Sequence, residues 1–127
     1  DLYSGITGYH HTVLNRIIRT ADGNVPTLFG RRAYFDRALA RMAQTGIHSR
    51  SVRKDPNYKL AKRQWRQAIN YPIQGSAADL MVRAMFEIYD RYYGTDVRLI
   101  SQVHDEIILL VPEARAQEVA AEVSRIM

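Results

Sequence analysis

The spacing of apolar residues changes several times along the chain, and each change marks an element. From Tyr9 to Arg19 the apolar residues Val13, Leu14, Ile17 and Ile18 recur at helical spacing. The turn residues Thr20-Ala21-Asp22-Gly23-Asn24 end that helix, and residues 1–8, with two glycines, read as a loop or an interrupted element. Val25–Phe35 predicts two short strands around Gly30-Arg31-Arg32, a hairpin with a basic tip. Arg37–Ala43 suits a short helix, and Thr45–Tyr58, rich in Ser, Gly, Asn, Pro and charge, reads as a mobile basic loop. Lys59–Tyr71 predicts a helix with Leu60, Gln64, Gln67, Ala68 and Tyr71 along one side. Pro72 is expected to interrupt or kink it, because proline lacks the amide that continues a helix.

A second helix is predicted from about Gly75 to Tyr92, with the stripe Ala77, Leu80, Met81, Ala84, Met85, Ile88 and Tyr92. Its small opening residues, Gly75 to Ala78, would admit another backbone, and its methionines read as core filler. Val97–Val111 carries two apolar, β-branched runs around His104, Asp105 and Glu106, which predicts strand, tight turn, strand. Pro112-Glu113 then opens a last helix with Val119, Ala120, Val123 and Ile126 inward. Helices flanking an antiparallel hairpin predict an α+β fold, with an antiparallel hairpin-containing sheet packed against helices.

Composition narrows the function. The 127 residues allow one modest domain and contain no cysteine, which removes disulfides, thiolate metal sites and cysteine nucleophiles. No apolar run approaches a membrane span, and no basic-then-apolar leader opens the chain, so neither a membrane partner nor secretion is expected. A first residue other than Met and a last helix without a cap suggest truncation at both ends. The net charge of +5 is unevenly spread. Arg31–Arg66 holds eleven Lys or Arg against Asp36 and Asp55, while the remainder is net acidic. Such a block points to a polyanion partner; the plainer alternative is a solvated helix face.

Two constellations could carry chemistry. Neighbouring carboxylates at the tip of a buried hairpin are costly unless a cation uses their charge. Asp105, rigidly held and open at one end, suits magnesium, which completes its shell with phosphates and water. Glu106 is the weaker partner, because adjacent strand residues point to opposite faces; His-Asp-Glu could also be only a polar turn. The second constellation is Arg66, Asn70 and Gln74, along the helix and its kink, with Arg63 sharing a face with Arg66 and Asn70. Their donors could meet the minor-groove acceptors common to every base pair, or could merely satisfy backbone groups around Pro72. His10 and His11, adjacent at a helix start, lack the spacing of a metal pair.

RQAINYPIQGSAADLMVRAM, then LISQVHDEIILLVPE, resembles the palm region of family A DNA polymerases, and GNVPTLFGRRAYF resembles the hairpin that precedes it. VHDE between apolar runs matches that family's motif C. The resemblance covers roughly residues 23–35 and 62–127. It implies that residues 1–127 are a partial polymerase domain: palm, adjoining fingers-side helix and hairpin. Asp105 would be one of two metal-binding catalytic aspartates, with Glu106 a supporting carboxylate and His104 near the primer terminus. Arg66, Asn70 and Gln74 would line the minor groove of primer–template DNA, with Arg31, Arg32 and Arg63 as further DNA contacts. Two magnesium ions would assist attack by the primer 3′-hydroxyl on a deoxynucleoside triphosphate.

Glu after Asp favours DNA over the related single-subunit RNA polymerases, which tend to carry Ser there. The motif A aspartate and the fingers helix that holds the triphosphate would lie before Asp1, in the remainder of the polymerase chain. The Arg32–Arg66 link is longer than expected for bacterial members, and residues 37–58 are not matched to the family by the resemblance. The chain alone is therefore expected to be inactive. Its setting would be the cytoplasm of a bacterium or phage-infected cell, or an organelle. A non-catalytic nucleic-acid-binding module is the alternative, and a nuclease built on Asp105 and Glu106 a third reading.

Overall fold

The computed structural model describes residues 4–46 and 49–127. In chain order the elements are α1 (Ser4–Arg19), β1 (Asn24–Pro26), β2 (Arg32–Tyr34), α2 (Arg37–Gln44), a 3-10 turn (Val52–Lys54), α3 (Tyr58–Tyr92), β3 (Arg98–Val103), β4 (Glu106–Leu110), a second 3-10 turn (Glu113–Arg115) and α4 (Ala116–Ile126). Both sheets are antiparallel hairpins, β1–β2 and β3–β4, so the α+β expectation holds. The chain divides into two compact units, residues 1–76 and 77–127, each with its own core.

In the first unit Val13, Leu14 and Ile17 of α1 pack with Val25 of β1, Ala40 and Ala43 of α2, and Ala61, Ala68 and Ile69 of α3. The helix α1 begins earlier than expected and takes in Gly5 and Gly8. Each glycine costs about 1 kcal/mol against alanine in a helix, and both face open space, so packing elsewhere on α1 decides the conformation. Asp36 caps α2 through its carboxylate, which accepts from the amides of Ala38 at 2.7 Å and Leu39 at 3.1 Å. Gln64 then ties that cap to α3. Its amide donates to the Asp36 carbonyl at 2.6 Å, and its carbonyl accepts from the Asp36 amide at 2.9 Å. The segment expected to be a mobile loop is instead partly built of turns: Val52–Lys54 is helical and Tyr58 already begins α3. Residues 47–48 of that segment, like residues 1–3, lie outside the described residues.

Pro72 does not end the helix. The 35 residues of α3 run through it. A proline deprives the carbonyl four residues earlier, here Ala68, of its donor. Two hydrogen bonds support the helix around that gap, one from α1 and one from within α3 itself. The Tyr9 hydroxyl donates to the Ile69 carbonyl at 2.7 Å, and the Ser76 hydroxyl donates to the Pro72 carbonyl. The packed side of α3 before Pro72 is also rotated from the expected one. Ala61, Ala68 and Ile69 are buried, while Leu60 is 54% exposed.

The small residues after Pro72 work as expected at two positions. A Cβ on Gly75 would sit 2.7 Å from the Thr27 methyl, so only glycine lets the β1–β2 loop lie this close. Ser76 is buried and accepts from the Leu28 amide at 2.9 Å. Ala77 and Ala78 are exposed.

In the second unit one face of β3–β4 is covered by helix. Ile88 and Tyr92 of α3, Val97, and Val119 and Val123 of α4 form the core, with Leu99, Ile107, Leu109 and Val111 packed against it. Ala77 and Leu80, expected in the α3 stripe, are exposed, and so is Ala120 of α4. Gly94, with φ of 76°, provides the left-handed residue after α3. α4 is pinned to α3 by Glu122, which accepts from Arg91 at 2.7 and 3.2 Å and from the Tyr92 hydroxyl at 2.6 Å. These donors hold the Glu122 carboxyl down to about 2.

Candidate active-site hairpin and nucleic-acid interface

The β3–β4 register sets the candidate catalytic residues. Leu99 pairs with Leu109, then a bulge falls between Leu99 and Ser101, and Val103 pairs with Glu106. His104 and Asp105 alone form the loop, so Glu106 is the first residue of β4 and not part of the turn. His104 takes φ of 55°, the one positive φ at a non-glycine residue among those described. A positive φ at the first loop position belongs to the tight hairpin turns whose twist matches that of the strands. It places a histidine where glycine is usual, a strain of the kind that collects at functional sites. The Gln102 side chain donates to the His104 carbonyl and braces the loop.

The tip of the hairpin is not buried, contrary to the expectation from its apolar flanks. His104, Asp105 and Glu106 are all exposed, as are Ser101, Gln102 and Val103. Burial therefore imposes no charge penalty at this tip, and the carboxylates need no cation to be tolerated. The reason is geometric. Ile107 and Leu109 turn toward the helices, whereas Glu106, Ile108 and Leu110 alternate onto the uncovered face. Among the described residues no group of three or more His, Asp or Glu could hold a metal. The hairpin thus presents Asp105 openly, with Glu106 beside it in sequence.

The other constellation lies in the first unit. Arg63, Arg66, Asn70 and Gln74 are all exposed and fall on one face of α3. Lys59, not singled out in the sequence reading, joins them. Positions 59, 63, 66, 70 and 74 lie within an arc of about 80° at helical pitch. The continuous helix makes this a single stripe, because an interruption at Pro72 would have turned Gln74 away from Asn70. Around Pro72 it is the Tyr9 and Ser76 hydroxyls that serve the Ile69 and Pro72 carbonyls.

The hairpin arginines divide. Arg31 reaches back along its own unit: its guanidinium donates to the Gly75 carbonyl at 3.0 Å and lies 5.8 Å from the centre of the Tyr71 ring. Arg32 opens β2 and is exposed. The tip itself is Leu28-Phe29-Gly30, with Leu28 87% exposed, so the basic tip expected from the sequence is an apolar one. His10 packs edge-on against Trp65, with ring centres 5.5 Å apart, a packing role.

The chain thus presents an open carboxylate at a two-residue turn and an exposed polar stripe on α3. It matches the model of DNA polymerase family A over residues 1–127. It is 43% identical over 99 residues to the thermostable DNA polymerase I of Thermus thermophilus, covering 78% of this chain and 10% of that protein. It is 36% identical over 127 residues to DNA polymerase I of Pseudomonas aeruginosa, covering 98% of the chain and 12% of the relative. DNA polymerase I of Deinococcus radiodurans is 34% identical, again over 98% of the chain. The chain belongs to DNA polymerase family A, and it spans about a tenth of the length of these relatives.

Proposed function

We propose that the chain is part of a template-directed DNA polymerase, the part that supplies one catalytic carboxylate and a minor-groove contact surface. The observation that carries this reading is Asp105, exposed at a two-residue turn with a strained neighbour, in a member of DNA polymerase family A. The reaction is attack of a primer 3′-hydroxyl on the α-phosphate of a deoxynucleoside triphosphate, with pyrophosphate leaving.

Asp105 fits magnesium: an exposed, braced carboxylate leaves room for the phosphates and waters that fill that ion's shell. In a two-ion site the bound cations supply charge stabilisation at the transferred phosphate, and the second aspartate comes from outside this chain. Glu106 supports Asp105, and His104 lies beside the primer end. Arg66, Asn70 and Gln74 donate to groove acceptors and hold the primer terminus without reading sequence. Arg32 and Arg63 add phosphate contacts. Arg31 acts from its place against Gly75 and Tyr71.

The test is Asp105→Ala in the full-length enzyme. Incorporation should vanish while primer–template affinity stays within about threefold, since the carboxylate serves the chemistry more than the grip. Absence of metal-dependent incorporation before and after the change would return the chain to a non-catalytic binding module. The isolated chain, with one aspartate of the pair, is inactive in this reading; metal-dependent primer extension by it would overturn that point.

A further inference from the structure

The net-basic block is not uniformly available to a partner. Arg31 is committed to Gly75 and Tyr71, and Arg37 donates to the Ile18 carbonyl at 3.2 Å. Of the nine that remain, all but Arg32 and Arg41 lie in one stretch. Arg50, Arg53 and Lys54 stand in the turns that lead into α3, and Lys59, Lys62, Arg63 and Arg66 occupy its first turns. Six of the seven are exposed, and among the described residues none is ion-paired. The stretch has one acid, Asp55, whose carboxylate is turned to the Asn57 amide at 2.7 Å. Lys62 rests 6.0 Å over the Tyr58 ring, and a shallow groove follows, lined by Tyr58, Lys59, Lys62, Arg63, Arg66 and Gln67.

We propose that Lys59 and Lys62, with Arg50, Arg53 and Lys54 ahead of them, form a second phosphate track for duplex DNA that extends the Arg63–Gln74 stripe. The proposal rests on the polymerase reading above. Three features favour a duplex backbone as the occupant. Lys59 lies on the same helical face as Asn70 and Gln74, and Lys62 stands about 40° beyond the edge of that stripe at helical pitch, so a duplex seated on those amides passes beside the lysines. The stripe from position 59 to 74 is about 22 Å long at 1.5 Å per residue, which matches about six base pairs of rise at 3.4 Å each. Single-stranded nucleic acid wants successive aromatic platforms, and this groove has one ring, Tyr58, already covered by Lys62. Lysine and arginine spaced about once per turn give contacts that ignore sequence, as an enzyme travelling along DNA requires. The core residues Ala61 and Ala68 behind the track fix it to the outside of its unit.

The experiment measures binding of a labelled primer–template duplex to the full-length enzyme across a salt series. Lys59→Gln with Lys62→Gln keeps helix propensity nearly constant at accessible positions. The slope of log affinity against log salt should flatten by about two, one for each phosphate contact removed. Affinity near about 0.1 M salt should fall about tenfold or more. The triple change Arg50→Gln, Arg53→Gln, Lys54→Gln should flatten the slope further, while Arg125→Gln on α4, the loss of a single charge elsewhere, should leave it unaltered. A slope unchanged by the lysine pair overturns the track. A loss confined to single-stranded template, with duplex binding intact, overturns the choice of partner. Asp105→Ala reads the polymerase assignment separately. If that variant still incorporates nucleotide while the lysine pair flattens the slope, the catalytic reading has failed and the track stands as a DNA-binding surface.

Discussion

The α3 stripe and the β3–β4 tip are both exposed and polar, yet they are built in opposite ways. Behind the stripe, Ala61, Ala68 and Ile69 are locked into the first core, and hydrogen bonds tie the helix to Tyr9, to Asp36 through Gln64 and to Leu28 through Ser76. One element carries every side chain of the surface. At the hairpin one face is packed on Ile88, Tyr92 and α4, while the other bears Ile108, 45% exposed, and Leu110, 59% exposed. A surface that binds a repeating backbone needs only regular spacing on a rigid rod. A catalytic carboxylate needs groups converging from separate elements, so a hairpin can present it but cannot complete it.

The contrast predicts which change affects which property. The largest effect is expected from Asp105→Asn, which keeps size and removes charge. In the full-length enzyme it should lower the rate of incorporation by about a thousandfold or more while sparing DNA affinity. Arg66→Ala should do the reverse, weakening DNA affinity by about tenfold or more, a hydrogen bond from a charged donor being worth roughly 1.5–3 kcal/mol. Equal losses of rate and affinity in both variants would erase the distinction between tip and stripe.

Next comes stability. Ile88 is fully buried in the second core, and Ile88→Ala should cost about 2–5 kcal/mol there. Hydrogen exchange should quicken in β3, β4 and α4 but not in α1 or α2. Uniform loss of protection would mean that the two cores act as one. A smaller cost, about 1–3 kcal/mol, is expected for Gly75→Ala, which drives a methyl into Thr27. Amide signals of the Thr27–Arg31 loop should shift, and those of His104 and Asp105 should not.

The smallest effect concerns Glu122. Its carboxyl is held near 2 in the folded state, below the ordinary value of 4.5. A depressed carboxyl stabilises the fold above its unfolded value and ceases to do so as pH falls through the folded one. The α3–α4 contact should therefore weaken between about pH 4.5 and pH 2. Because the pair is exposed to solvent, the change in thermal midpoint should be slight and reduced by salt. Glu122→Gln should remove that part of the pH dependence; an identical acid limb in the variant would assign it to other carboxylates.

Much of the molecule was legible in the residue pattern. The period of Val13, Leu14 and Ile17 marked α1, and Arg37–Ala43 read as the short helix that became α2. The alternation around His104-Asp105 marked the second hairpin and its turn. These signals are local, because backbone geometry and short-range hydrogen bonds decide them. Family resemblance, carried by residues 66–85 and 99–113, pointed to the two constellations without a structure.

Other outcomes depended on partners distant in sequence. Pro72 reads as a break, and it became the interior of a helix because Tyr9, 63 positions earlier, packs where the ladder is weakened. Arg31 reads as a basic tip, and the approach of Gly75 and Tyr71 drew it back along its own unit. The tip of β3–β4 reads as buried from its apolar flanks, and alternation left half of those side chains facing outward. The sequence by itself determined which elements form and which side chains could bind DNA or a cation, since those depend on near neighbours and side-chain chemistry. Only the tertiary structure decided that α3 is unbroken and that its donors share one stripe, because a helix with a proline inside it persists only where packing from elsewhere in the chain supports the weakened turn.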